Sequence, residues 1–91
     1  MLSTLKREEL LSAIFDKYAD SIEVYSNSEF NFYVEDPVFY ILCKRDVDFV
    51  GLLYKLQEIY ELPIHVYCTQ KMFSKLLENR KLIWRKSKWY L

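Results

Sequence analysis

Two apolar runs with one helical repeat between them dominate the pattern of hydrophobic and polar positions along the chain. Residues 37–43 are apolar without polar alternation, which is typical of a strand covered on both faces, and residues 63–68 form the second run. Between them, spacings of three and four indicate a helix whose buried side is Phe49, Leu52, Leu53, Leu56, Ile59 and Tyr60. Asp46 can cap this helix and Pro63 can end it. The pattern predicts a central βαβ unit.

The residues before this unit predict one helix and two short extended segments. The helix runs from Ser3 or Thr4 to about Tyr18, and its apolar stripe is Leu10, Leu11, Ile14, Phe15 and Tyr18. Residues 21–25 alternate between polar and apolar, which predicts a strand with one buried face. Residues 30–34 are rich in aromatics and predict another extended segment, which is a candidate to pair with the strand that follows it.

The residues after the unit predict one more helix and a last strand. Thr69 can cap a helix that ends near Asn79, with Met72, Phe73, Leu76 and Leu77 on its buried side. Residues 82–84 predict a closing edge strand, and residues 85–91 follow it as a basic, aromatic tail. The predicted order is α-β-β-β-α-β-α-β. This order predicts an α/β fold with two layers and a single domain over residues 1–91.

The composition excludes several classes of function. The 91 residues include a single Gly, whereas a Gly-rich phosphate loop needs several residues without a Cβ, so Walker-type and dinucleotide-binding sites are excluded. No apolar run approaches the ~20 residues that span a bilayer. The charged N-terminal segment does not fit a signal peptide. We therefore expect a cytoplasmic protein without a membrane segment.

The charges are segregated along the chain although the formal net charge is zero. The acids between residues 20 and 36, where there is no Lys or Arg, are Asp20, Glu23, Glu29, Glu35 and Asp36. From residue 71 to the end, with Glu78 as the only acid, the bases are Lys71, Lys75, Arg80, Lys81, Arg85, Lys86 and Lys88. Such a charge distribution favours partner binding or head-to-tail self-association.

The order of elements resembles that of the minimal nucleotidyltransferase domains, small archaeal and bacterial proteins often encoded beside a HEPN partner as antitoxins. The likeness covers nearly the whole chain and is closest over residues 63–84, where a strand, a Thr-capped helix and a final Leu-Ile-Trp follow one another. The resemblance implies a nucleotidyltransferase-like mixed sheet. Members of that family carry a Gly-Ser pair and three Asp residues, and the carboxylates hold two metal ions that activate a nucleoside triphosphate.

Few of that family's active-site residues have a counterpart in this chain. Ser26 or Ser28 stands at the Gly-Ser position without the Gly, Asp36 matches the first Asp, Val38 replaces the second and His65 replaces the third. One carboxylate cannot hold two magnesium ions, whose ligands are oxygens. The resemblance therefore implies a degenerate pocket at Ser26, Ser28, Asp36 and His65, with no catalytic residue, no metal and no cofactor.

The same ionisable residues also fit purely structural roles. The acidic pair before Pro37 fits a solvated turn, and His65 fits an ordinary strand position. Cys43 and Cys68 end the two predicted strands of the βαβ unit, where a free Cys acts as a small buried hydrophobe. One His and two distant Cys offer too few ligands for a metal site.

The C-terminal segment, residues 80–91, suggests a function more directly than any other part of the chain. Its interleaved bases and aromatics suit contacts to phosphates and to unpaired bases. The candidate contacts to nucleic acid or to a protein partner are Lys81, Arg85, Lys86, Lys88, Trp89 and Tyr90. The segment equally fits a solvated edge with two aromatics folded onto the core. The eight tyrosines of the chain favour an interface.

These patterns favour a binding module over an enzyme. The first hypothesis is a catalytically silent nucleotidyltransferase-like domain that acts through a protein partner or by homodimerisation. Such a domain would be antitoxin-like or, given its size and composition, an accessory protein of a virus or mobile element. The alternative is a nucleic-acid-binding protein that uses the C-terminal segment. A second alternative is a small active nucleotidyltransferase that uses Asp36 with Glu35 or Glu29.

Overall fold

The computed structural model describes residues 4–32, 34, 37–44, 47–59, 65–70, 75 and 77–91. The elements of this part of the chain are α1 (Thr4–Asp16), β1 (Ile22–Ser26), β2 (Val38–Cys43), α2 (Phe49–Ile59), β3 (His65–Gln70), β4 (Lys81–Arg85) and β5 (Lys88–Trp89). Neither of its two helices has the length and apolar character needed to cross a membrane.

The strands form one mixed sheet in the order β3-β2-β1-β4-β5. β2 and β3 are parallel, from Val38 beside His65 to Cys43 beside Gln70, and α2 connects them. β1 is antiparallel to both β2 and β4, and β5 is antiparallel to β4. The predicted α/β class and its βαβ unit are confirmed. A nucleotidyltransferase arrangement of the elements stays a prediction.

The N-terminus of α2 is capped by Asp48. The N–H of Gly51 donates to Asp48 Oδ1 at 3.0 Å, and the N–H of Leu52 donates to the Asp48 carbonyl at 3.1 Å. A Cβ on Gly51 would lie 2.6 Å from Asp48 Oδ2, so a larger residue there would displace the cap. The cap predicted from sequence, Asp46, lies outside the described residues.

The core lies between the two helices and one face of the sheet, here called the helix face. Leu11 and Phe15 of α1 are fully buried, as their stripe predicts. The other buried apolar side chains from the sheet and α2 are Ile22, Val24, Phe39, Ile41, Cys43, Leu52, Leu56, Ile59, Ile83 and Trp84. The Phe15 ring is central, because its centroid lies 6.1 Å from Phe39, 5.3 Å from Trp84 and 5.9 Å from Trp89.

A bulge in β4 turns two neighbouring side chains into this core. Val24 of β1 is beside Trp84, yet the next residue, Tyr25, is beside Leu82, so Ile83 is the extra residue. Ile83 and Trp84 are both fully buried. A regular strand would have sent one of the two to the opposite face.

The C-terminal residues form a hairpin, so the predicted arrangement of an edge strand with a tail is wrong. β4 pairs with β1 on one side and β5 on the other, and it is therefore interior. Lys86 and Ser87 join β4 to β5 with φ of 49° and 61°. Two successive residues with positive φ give the turn whose twist suits a hairpin. The sequence carries neither Gly nor Asn here, so the usual signal for this turn is absent.

Two other predicted elements also differ from the structure. The described residues of the segment 30–34 form turns, and Phe30 packs against the ring of Phe39 at 5.8 Å in place of extending a strand. Thr69 lies inside β3, so it does not cap a helix at that position. Residues 71–74 and 76 of the predicted third helix lie outside the described residues, and Lys75 and Leu77 belong to a short 3-10 turn.

Candidate functional site

The sheet face opposite the helices, here called the tyrosine face, carries a row of aromatic side chains. Tyr67, Tyr40 and Tyr25 are neighbours in register on β3, β2 and β1, and Tyr25 is beside Leu82 on β4. Tyr90 continues the row at the opposite edge, because its N–H donates to a carbonyl of β4 at 2.9 Å. One row of the tyrosine face therefore presents aromatics from widely separated parts of the chain.

Ring stacking and a cation fix part of this row. The rings of Tyr40 and Tyr67 are stacked, with centroids 5.2 Å apart and planes 17° apart. The Arg80 guanidinium lies 4.5 Å from the Tyr40 centroid. Tyr40 thus contacts both an aromatic ring and a cation, which are favourable neighbours for an aromatic side chain. Tyr67, at the sheet edge, remains 52% exposed.

Glu23, also on the tyrosine face, has its charge compensated by its neighbours. Lys44 Nζ lies 2.9 Å from Glu23 Oε2, and the Tyr25 hydroxyl donates to Glu23 Oε1 at 2.8 Å. Burial acts to raise the pKa of Glu23, but the hydrogen bonds from Lys44 and Tyr25 outweigh it and lower that pKa below its usual value. This carboxylate therefore adds little negative potential to the face.

Two groups in the sheet have pKa values that make stability depend on alkaline pH. Burial, with a smaller effect of Cys68, raises the pKa of Cys43 from 9.0 to about 12. Burial, together with the Glu23 carboxylate, raises the pKa of Tyr25 from 10.0 to about 12. Above each ordinary value the unfolded chain releases a proton that the folded chain keeps. Their stabilising contributions are therefore complete below pH 9.0 and decrease as the pH rises towards about 12.

Urea unfolding between about pH 8 and 12 is expected to show this decrease in the free energy of unfolding. Tyr25→Phe should make the decrease shallower above the ordinary tyrosine pKa of 10.0, and Cys43→Ala should do so from 9.0. The slope against pH is the measurement, so a change in baseline stability from either substitution does not obscure it. Identical slopes in wild type and both variants would contradict the assignment.

The C-terminal residues singled out from sequence divide into two groups. Lys81, Arg85, Lys86 and Lys88 are exposed. Trp89 lies on the helix face, where its Nε1–H donates to Ser12 Oγ at 2.8 Å and its ring contacts Phe32 with centroids 4.9 Å apart. With the buried Trp84, it matches the alternative in which two aromatics of this segment fold onto the core.

Tyr90 lies close to two of the exposed cations. The Arg85 guanidinium is 5.7 Å from the Tyr90 ring centroid, and Lys88 Nζ is 5.6 Å from it. Arg85 and Lys88 are directly paired across the β4–β5 hairpin, and Tyr90 follows two residues later on the same face. The hairpin thus presents one aromatic ring with two cations next to it, all on the tyrosine face.

The three described residues of the expected degenerate pocket, Ser26, Ser28 and His65, do not share one face of the sheet. Ser26 is buried, and its hydroxyl donates to the Val38 carbonyl at 2.6 Å. Its alternation with Val24 places it on the helix face, whereas His65, beside Val38, is exposed on the tyrosine face. Ser28 is exposed in the turn after β1, and Asp36 lies outside the described residues.

At the β3 edge of the sheet, half of the backbone groups point away from the neighbouring strand. The His65 N–H donates to the Pro37 carbonyl at 3.4 Å, so His65 and every second residue after it bond towards β2. The N–H and C=O groups of Val66 and Cys68 therefore point outward. Within the described part of the chain, no strand pairs with this side of β3.

Beside that edge, α2 exposes an apolar stripe. Val50, Leu53 and Tyr54 are 63%, 37% and 65% exposed, and their spacing of three and four makes them neighbours on the helix surface. Lys55 and Glu58 lie on the flank of α2 that faces α1 across an open groove of about 290 Å³. Helix geometry places Val50 and Tyr54 on the outer side of α2, opposite its buried face, and Leu53 on the flank turned away from α1. We call β3 and this stripe the edge patch.

Sequence reasoning found only part of the edge patch. It predicted Leu53 as buried, which is wrong, because the buried positions of α2 are Leu52, Leu56 and Ile59. Val50 has no role in the predictions from sequence, and Tyr54 enters them only as one of the tyrosines that favour a core or interface position. The available signal was the surplus of apolar residues on α2, which exceeds what one face of a helix can bury.

Comparison with known proteins does not identify a relative. No family model, curated protein or solved structure matches this chain. The described residues contain no group of three or more His, Cys, Asp or Glu side chains that could hold a metal ion. Two surfaces thus stand out in the described structure, the edge patch and the cationic, aromatic row of the tyrosine face, and both are suited to binding.

Proposed function

We propose that this protein is a non-catalytic interaction module that assembles with a second copy of itself through the edge patch. The observation that carries the proposal is the β3 edge with its outward backbone groups, lying beside the exposed stripe of α2. Unpaired strand edges readily add another strand, and exposed apolar residues at such an edge favour the addition.

The two edges of the sheet differ in a way that supports pairing at β3. Edge strands that must stay unpaired are usually very short or carry charged residues, especially Lys. β5 has both features, since it is two residues long and includes Lys88. β3 has neither, because its six residues, HVYCTQ, include no Lys, Arg, Asp or Glu. An edge strand of six residues without these protective features is suited to pairing with another strand.

A second copy fits the edge patch geometrically. Antiparallel pairing of two β3 strands about a twofold axis would join the two sheets, with strands ~4.8 Å apart. α2 connects β2 and β3 and buries Leu52, Leu56 and Ile59, so this pairing would bring the two α2 helices towards each other on the helix face. Leu53, on the flank of α2 turned away from α1, would lie nearest to that contact.

The chemistry of the patch also favours a copy of the same chain as the occupant. A twofold interface uses the same patch on both chains. A charged residue near the axis would therefore lie close to its own copy in the partner. The described residues of β3 and the stripe on α2 carry no formal charge. The nucleotidyltransferase likeness is not needed for this assembly, and it stays a prediction.

Sedimentation or light scattering of the purified protein is expected to show a dimer whose proportion rises with concentration. Leu53→Glu places a charge in the centre of the helix contact, where it would face its own counterpart, and should raise the dimer dissociation constant by at least about tenfold. Cys68→Lys should have a similar effect, because Lys is a residue that natural edge strands use to prevent pairing.

Leu91→Glu is the matched control. Leu91 is 52% exposed, follows the opposite edge strand, and also changes from apolar to acidic. This variant should dimerise like wild type. A wild-type protein that stays monomeric at high concentration would overturn the proposal, as would a Leu53→Glu variant with an unchanged dissociation constant and an intact circular dichroism spectrum.

A further inference from the structure

The half of the tyrosine face formed by β1, β4 and β5 combines exposed cations with aromatic rings. Arg85 and Lys88 both lie close to the Tyr90 ring, at 5.7 and 5.6 Å from its centroid, and both are exposed. Further along the same row, the exposed Arg80 lies 4.5 Å from the Tyr40 centroid. Cations therefore accompany the aromatic row at both of these places.

The electrostatics of this half are positive in the described part of the chain. The strands place Arg85 and Lys88 on the tyrosine face, and Lys44 follows β2 on the same face. Their one acidic neighbour in register there is Glu23, whose carboxylate is bonded by Lys44 and by Tyr25. Lys86, in the turn after β4, is another exposed cation, whereas Lys81 is beside Ser26 and therefore belongs to the helix face. This local excess persists although the whole chain has no net charge.

We infer that this half of the tyrosine face, with Arg80, Arg85, Lys88 and Tyr90 as its contacts, binds single-stranded nucleic acid. Cations along a shallow surface neutralise successive phosphates, and an aromatic ring beside them supplies a stacking partner for a base. A base can reach Tyr90 only if it is unpaired, which is why a single strand is favoured over a duplex. Trp89 is excluded as a contact, because its ring packs on the helix face.

This inference is independent of the proposed dimer. Arg85, Lys88 and Tyr90 lie at β4 and β5, and the edge patch lies at β3, at the other end of the strand order. Arg80, over Tyr40 of β2, is the contact nearest to β3, but Leu53 lies on α2 and so on the other side of the sheet. The Leu53→Glu variant should therefore bind nucleic acid with the same intrinsic affinity for each chain as wild type. If dimerisation fails but binding is found, only the proposed function is overturned, and the reverse result overturns only this inference.

Fluorescence anisotropy with labelled 12-nucleotide oligo(dT) and oligo(U), and with a 12-base-pair duplex, tests the inference at several salt concentrations. Wild type should bind the single strands more tightly than the duplex. Arg85→Ala with Lys88→Ala should weaken single-strand binding by at least about tenfold and reduce the slope of log affinity against log salt by about 1.4, since each lost phosphate contact contributes about 0.7. Tyr90→Leu should weaken binding by about fivefold or more, whereas Tyr90→Phe, which keeps the ring, should weaken it less.

Lys17→Ala with Lys55→Ala is the matched control, because it also removes two exposed cations, but from the groove between the helices. Its affinity and salt slope should equal those of wild type. The inference is overturned if no binding occurs at low salt, if this control loses as much affinity as the Arg85 and Lys88 double variant, or if the duplex binds as tightly as the single strands. Binding to vesicles of anionic lipid with no binding to oligonucleotides would overturn it in favour of a membrane surface, and binding to an acidic peptide alone would overturn it in favour of a protein.

Discussion

Replacing Phe15 by alanine is expected to lower the free energy of unfolding by about 3–5 kcal/mol. Phe15 is fully buried on α1, and its ring contacts Phe39 of β2, Trp84 of β4 and Trp89 of β5. No neighbouring side chain can fill the space, because these three rings are fixed by different strands. The loss is therefore the transfer energy of the ring together with the cost of a cavity.

The consequence for the whole molecule should be large, because small domains are stabilised by only about 5–15 kcal/mol. Urea unfolding followed by tryptophan fluorescence measures the change, and both tryptophans lie next to the substituted ring. Asp16→Ala, at the exposed next position of α1, is the control and should change stability by less than about 0.5 kcal/mol. A Phe15→Ala variant as stable as this control would show that α1 does not pack on the sheet in this way.

Replacing Trp89 by alanine is expected to cost about 3 kcal/mol. Its ring lies 4.9 Å from Phe32 and 5.9 Å from Phe15, and its Nε1–H donates to Ser12 Oγ at 2.8 Å. The side chain therefore fixes the short strand β5 to α1 and to the loop before β2. Trp89→Phe keeps the aromatic contacts and removes the hydrogen bond, so it should cost about 1 kcal/mol.

Thermal or urea unfolding of both Trp89 variants gives the comparison. Tyr90→Ala is the control, because Tyr90 is the next residue but lies on the opposite face with two cations near its ring, and it should cost about 1 kcal/mol or less. If Trp89→Ala were as stable as wild type while Tyr90→Ala was strongly destabilised, the two faces of the hairpin would be assigned the wrong way round. The same pair of variants separates a structural tryptophan from a tyrosine available for binding.

Local periodicity was sufficient where an element has one clearly buried face. Leu11 and Phe15 of α1, and Ile22 and Val24 of β1, are buried as their spacing predicts. The parallel pairing of β2 and β3 through α2 also follows from two apolar runs around a helical repeat. In each case the burial of apolar side chains at a fixed period is the dominant free-energy term, and the period can be read from the sequence.

Predictions failed where a residue type suits two conformations. Thr69 is a good helix cap and also a good strand residue, and β3 continues through it. Lys86 and Ser87 adopt positive φ without the Gly or Asn that usually indicates such a turn. The sequence therefore predicts a tail where the structure has β5. Leu53 suits a buried helix face by spacing, but only Leu52, Leu56 and Ile59 of α2 are buried.

The candidate site was less accessible to prediction than the fold. The exposed bases of the C-terminal segment were identified from sequence, because a run of charges marks a solvated surface. Their relation to Tyr40 and Tyr90, and the exclusion of Trp89 by its place in the core, depend on strand register and on which face each residue takes. The edge patch depends on the position of β3 at the end of the sheet, which no local pattern encodes.

Composition and local periodicity are enough to predict an α/β protein with a central βαβ unit, segregated charge and exposed C-terminal cations. They do not predict that β4 is interior and β3 is an edge, or that Tyr25, Tyr40 and Tyr67 are neighbours, which the folded chain shows. Strand order and register arise from pairing between residues far apart in the chain, so no local pattern contains them. A shift of one residue in that pairing would turn each side chain to the other face.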